Sequence, residues 1–83
     1  MPKSFITAHA RDVLHPADLP IALARHAAGD WGDIGRADWQ ENEAVLLHER
    51  RLFSVYRDRN NVKFWVITEA DRSATTVLLP DDY

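Results

Sequence analysis

The chain has no cysteine, only three glycines and one methionine, and no apolar run that approaches the ~20 residues of a membrane span. Without cysteine there are no disulfides, thiolate zinc sites or cysteine nucleophiles, so side-chain packing alone must hold the fold. Charge of one sign is also scarce. Ten Lys and Arg against thirteen Asp and Glu give a formal net charge of -3, the wrong sign for a general nucleic-acid binder and too weak for a polyanion mimic. No repeat, low-complexity tract or Gly/Ser linker divides the 83 residues, so one small domain is expected, with residues 1–15 partly loose. Met1-Pro2-Lys3-Ser4-Phe5-Ile6-Thr7 lacks the apolar core of a signal peptide, and the expected location is the cytoplasm.

Pro16-Ala17-Asp18-Leu19-Pro20 reads as a helix entrance, because proline is tolerated in the first turn and Asp18 can cap the positive dipole end. Leu19, Leu23 and Ala27 recur at helical spacing, with Ile21, Ala24 and Ala28 beside them, so a helix is expected over 19–28 and ends at Gly29. Arg25 and His26 would complement its C-terminal dipole. Gly29-Asp30-Trp31-Gly32-Asp33-Ile34-Gly35 holds every glycine of the chain and reads as a packed loop. Asp38 with Glu41 approximates a capping box for a second helix over 39–49.

The pattern changes at Leu52. The runs 52–56, 62–68 and 75–79 are β-branched and aromatic, separated by Asp58-Arg59-Asn60-Asn61 and by Glu69-Ala70-Asp71-Arg72-Ser73. A strand over 5–8 is a weaker reading. The expected fold is α+β: two helices followed by a three-stranded antiparallel β-meander, the helices packed on one sheet face. Phe53, Val55, Phe64, Val66, Val77 and Leu79 should form the sheet side of the core, against Leu19, Leu23, Leu46 and Leu47. Trp65 and Ile67 lie on the other face, where Trp31, Ile34 or the N-terminal segment would cover them. Asp81-Asp82-Tyr83 is expected to be anchored through its terminal aromatic ring.

Gly29-Asp30-Trp31-Gly32-Asp33, Glu41-Asn42-Glu43, residues 65–73 and Thr75-Thr76-Val77-Leu78-Leu79-Pro80-Asp81-Asp82-Tyr83 resemble a family of small uncharacterised bacterial proteins. Its members are often called plasmid-related proteins and are sometimes labelled a type I restriction enzyme modification subunit. The resemblance covers residues 29–83 and is most specific in the last stretch. It implies an association with plasmids, prophages and other mobile genetic elements, and carries no catalytic residues to transfer. The modification-subunit label fails on physical grounds. A methyltransferase needs a pocket for its methyl donor, opened by a Gly-rich strand-to-helix turn, and an aromatic amine-binding loop in a much larger sheet; neither is present.

His9, His15, His26 and His48 show none of the close spacing of a helical metal pair, so no metal site is expected. Ser54 and Ser73 have no histidine at a recognisable motif distance and no nucleophile elbow. The expectation is a non-enzymatic protein without a cofactor. Asp30, Asp33, Asp38, Glu41 and Glu43 against Arg36 make an acidic stretch flanked by Trp31 and Trp39. It reads either as helix capping with a solvated face or as a contact surface. As a surface, it would take Trp31 or Trp39 as apolar anchor and Asp33, Glu41 and Glu43 as acidic rim. Arg50, Arg51, Arg57, Arg59 and Lys63 make the hairpin locally basic, and with Phe53, Tyr56 and Trp65 it could bind single-stranded nucleic acid through Arg57, Arg59 and Lys63; the alternative is a sheet surface kept soluble by arginines. The functional expectation is a protein-binding module from a mobile genetic element, in its most specific form a counter-defence inhibitor of the anti-CRISPR or anti-restriction type, whose partner is a host defence-system subunit. A nucleic-acid-binding accessory factor is the alternative.

Overall fold

The three β-branched runs form strands because their side chains alternate across a pleated surface. In a computed structural model, which describes residues 3–35, 40 and 51–83, they are β2 (Leu52–Arg57), β3 (Lys63–Thr68) and β4 (Ala74–Leu78). They pair antiparallel in sequence order. Asn61 takes the left-handed conformation in the first turn (φ 64°), while the Asp58 carboxylate accepts from the backbone N–H groups of Asn60 and Val62. Arg72 is left-handed in the second turn (φ 63°). There Asp71 accepts from the Ser73 N–H and Arg72 donates to the carbonyls of Glu69 and Ala70.

The sheet has a fourth strand. β1 (Lys3–Ile6) lies parallel to β4, giving the order β1-β4-β3-β2, so the sheet is mixed and four-stranded rather than a three-stranded meander. Lys3–Ile6 is accordingly part of the sheet. Thr7 accepts from the Ala10 N–H and so caps a short helix, α1 (Ala8–Val13), whose Ala10 is fully buried. The second helix, α2 (Asp18–Ala27), falls one residue from the expected bounds. Its N-cap is Ala17 without a side-chain bond, and Asp18, inside the first turn, pairs with Arg59 at 3.0 Å instead of capping. The expected helix over 39–49, with Leu46 and Leu47, lies outside the described residues.

The inner stripe of α2 is Ala22 and His26, which are buried, with Leu19 and Leu23, which are half-buried; Ala27 is exposed and Ile21 is 58% exposed. This stripe and α1 pack on Tyr56, Phe64, Val66, Val77 and Leu79. Four of the six expected sheet residues are therefore core, and Phe53 and Val55 are not on that face. Register decides this: Tyr56 pairs with Phe64 and Ser54 with Val66, so β2 turns Leu52, Ser54 and Tyr56 inward. A one-residue difference in register exchanges the faces of a whole strand. Val55, Ile67 and Leu78 are buried on the opposite face. Trp31 does not cover that face; it packs with Leu52, on the helix side, and Ile34 joins them.

Residues 31–33 run along the free edge of β2. Val55 N–H donates to the Trp31 carbonyl and Asp33 N–H to the Val55 carbonyl. Only glycine fits between them. A Cβ on Gly32 (φ +72°) would lie 2.0 Å from the Val55 carbonyl oxygen and 2.7 Å from the Tyr56 ring. The C-terminal residues are tied down through Asp82, whereas the Tyr83 ring, expected to be the anchor, is 69% exposed. Pro80–Asp82 forms a 3-10 turn, Asp82 accepts from Thr7 Oγ1 at 2.7 Å, and Tyr83 lies edge-on to Trp65 while accepting from Arg51.

Candidate functional site

Cross-strand pairing sets one row of residues straight across the inward face of the sheet. Ser4 pairs with Thr75, Thr75 with Thr68, and Thr68 with Leu52. Directly paired residues share a face, so three hydroxyls stand side by side where the neighbouring row, Ile6, Val77, Val66 and Ser54, is mostly apolar. Above them runs the C-terminal half of α2. Between helix and row lies a half-open groove of about 640 Å³. Leu23, Ala24, Ala27 and Ala28 form its helical wall, the hydroxyl row its floor, and His26 and Trp31 its inner end.

His26 joins the two layers. Its Nε2 is 2.8 Å from Thr68 Oγ1 and its Nδ1 is 2.5 Å from Ser54 Oγ. Thr68 Oγ1 is in turn 2.8 Å from Thr75 Oγ1. His26 is 5% exposed, and Trp31 meets it edge-on with ring centroids 5.5 Å apart. Burial disfavours the imidazolium and lowers the pKa to about 4, so the ring is neutral near pH 7. It therefore sits in the core as a hydrogen-bonding group and does not act as the positive end-cap expected of it.

The expected contact surface is not assembled as such among the described residues. The Trp31 side chain is 1% exposed, which makes it core rather than a presented anchor: its loop folds back over Leu52 and His26. Asp33 is exposed and lies 3.6 Å from Arg57. Asp30 is held by Arg25 at 2.7 Å, and that guanidinium, followed by the Gly32 N–H, lowers the Asp30 pKa. Trp39, Glu41 and Glu43 lie outside the described residues. The basic hairpin is largely neutralised. Arg57 pairs with Asp33, Arg59 with Asp18 through two guanidinium contacts, and Arg51 faces Glu69 at 3.7 Å. Lys63 is exposed at the start of β3.

The sequence carried one signal for the groove. At Thr68 and Thr75, in line with Phe64 and Val66 and with Val77 and Leu79, the strand alternation calls for inward apolar side chains and supplies hydroxyls, whereas Ser54 turns inward only through the observed register of β2. What brings His26 to them is topology, across 28 and 42 residues, which no local pattern encodes. Among the described residues no group of three or more His, Asp and Glu could hold a metal ion, and no helix is long and apolar enough to cross a membrane. Comparison with family models, with curated proteins and with solved structures returns no match.

Proposed function

We propose that the protein is a non-enzymatic binding module that docks a partner protein in the groove between α2 and the hydroxyl row. The groove itself carries this reading. Alanines on the helical side leave its wall bare of long side chains, and a site of ~300–1,000 Å³ with apolar walls and a few convergent polar groups is the usual form of a small-molecule pocket, a form that also admits a single buried anchor side chain of a partner protein. Both His26 nitrogens are engaged and Ser54 is fully buried, an arrangement that fixes the shape of the floor. The resemblance to plasmid-related proteins extends the proposal to a mobile-element protein whose partner is a host defence-system subunit, in the manner of an anti-CRISPR or anti-restriction inhibitor. Pairing of Arg57 and Arg59 with Asp33 and Asp18 weighs against the hairpin as a phosphate-binding surface.

Affinity capture from a bacterial host lysate tests the proposal with three baits: wild type, Ala27→Arg, and Arg57→Glu with Arg59→Glu. Ala27 is exposed on the groove wall, so arginine there fills the groove without touching the core. The expected result is a protein retained by wild type and by the hairpin variant and lost by Ala27→Arg at an unchanged melting temperature. Retention by Ala27→Arg, or salt-sensitive capture of nucleic acid that the hairpin variant alone loses, overturns it.

A further inference from the structure

We propose that the groove receives a tyrosine side chain of the partner, its ring against the alanine wall and its phenol hydroxyl on Thr75. This rests on the protein-binding reading above and names the group recognised.

The argument is a count of hydrogen-bond valences. A neutral imidazole has one donor and one acceptor. If the proton is on Nε2, His26 donates to Thr68, Ser54 donates to Nδ1 and Thr68 donates to Thr75. The Thr75 O–H is then left over as a donor. If the proton is on Nδ1, His26 donates to Ser54, Thr68 donates to Nε2 and Thr75 donates to Thr68. The Thr75 lone pairs are then left over as acceptors. Among the described residues the chain ends on Thr75 in either case, and Thr75 lines the groove at 6% exposure.

A hydroxyl can complete the chain in both states, since it donates and accepts. A carbonyl or carboxylate serves only the first state and an ammonium only the second, while a primary amide serves both but has no apolar body to cover the walls. The groove's charge selects in the same direction. Its floor is neutral, and Arg72 at the rim is the single charged side chain among the described lining residues, with Nη1 turned to the Glu69 and Ala70 carbonyls. Among hydroxyl side chains, serine and threonine would leave the walls of Leu23, Ala24 and Ala27 uncovered. Tyrosine has the apolar body to cover them and the polar tip to reach the floor.

Side-chain analogues separate this inference from the docking proposal. p-Cresol, toluene and p-cresyl phosphate are titrated into wild type, Thr75→Val and Ala27→Arg, and amide shifts at residues 27 and 75 are followed by NMR, with a thermal melt of each variant. p-Cresol should shift both amides and bind more tightly than toluene. Thr75→Val should weaken p-cresol by about 3–10-fold, the usual worth of one hydrogen bond, and leave toluene unchanged; Ala27→Arg should abolish both. Equal binding of p-cresol and toluene, equal losses of both in Thr75→Val, tighter binding of the phosphate, or no shift at either amide overturns the tyrosine assignment. If partner capture is still lost in Ala27→Arg, the docking proposal survives that failure.

Discussion

Acidification should unload His26 before it touches the carboxylates. In the unfolded chain the imidazole titrates near 6.5, and in the folded protein at about 4. Between these values the unfolded state binds more protons, so stability falls as pH falls. The contribution is whole above pH 6.5 and gone below about 4. At about 1.36 kcal/mol per pH unit, the loss over that window is at most roughly 3 kcal/mol, with roughly 2 kcal/mol already gone at pH 5. That is a large part of the ~5–15 kcal/mol of a typical domain. The Asp18 and Asp30 carboxylates, lowered chiefly by bonds from Arg59 and Arg25, lose their contribution only as pH falls below their ordinary 3.8. Urea unfolding at pH 7, 6, 5 and 4.5 of wild type and His26→Gln isolates the effect, since glutamine retains hydrogen-bonding capacity and cannot titrate. The wild-type advantage should shrink steadily with acidification. Parallel pH–stability curves for the two proteins refute the neutral, buried His26.

Gly32→Ala should cost roughly 2–4 kcal/mol, because the new methyl meets the Val55 carbonyl in a left-handed residue; an unchanged urea midpoint would contradict the edge pairing of residues 31–33. Val66→Ala, at a fully buried position, should cost about 1–3 kcal/mol through lost burial and a cavity, and unchanged thermal stability would remove β3 from the core. Asp82→Ala removes the acceptor of Thr7 Oγ1 and of the Leu79 N–H; it should lower the melting temperature and sharpen the Tyr83 ring signals in NMR spectra, whereas sharp signals already present in wild type would contradict the anchored end.

The meander was legible because its signals are local: Val62 to Thr68 is β-branched and aromatic and follows a turn whose Asn61 accepts the left-handed conformation, and Pro80 closes the third strand. β1 was hard to read for the opposite reason. Lys3, Ser4 and Phe5 are exposed, so no apolar face marks the strand, and its partner lies more than 70 residues away in a parallel pairing. The six residues of α1 are too few to show a helical period. Leu52 and Phe53 are both apolar, as are Val55 and Tyr56, so the register of β2 could not be read from hydropathy. Trp31 illustrates the same limit at the site: glycines and acids around an aromatic residue fit an exposed loop or a folded-back one, and only the backbone pairing to Val55 separates them.

Hydrogen–deuterium exchange of the protein bound to the partner retained by affinity capture tests the groove most directly. The expected footprint is slowed exchange over residues 23–29 and 72–76, the helical wall and the hydroxyl row. Slowed exchange confined to residues 57–63 with those segments unchanged would place the binding surface on the hairpin and contradict the groove.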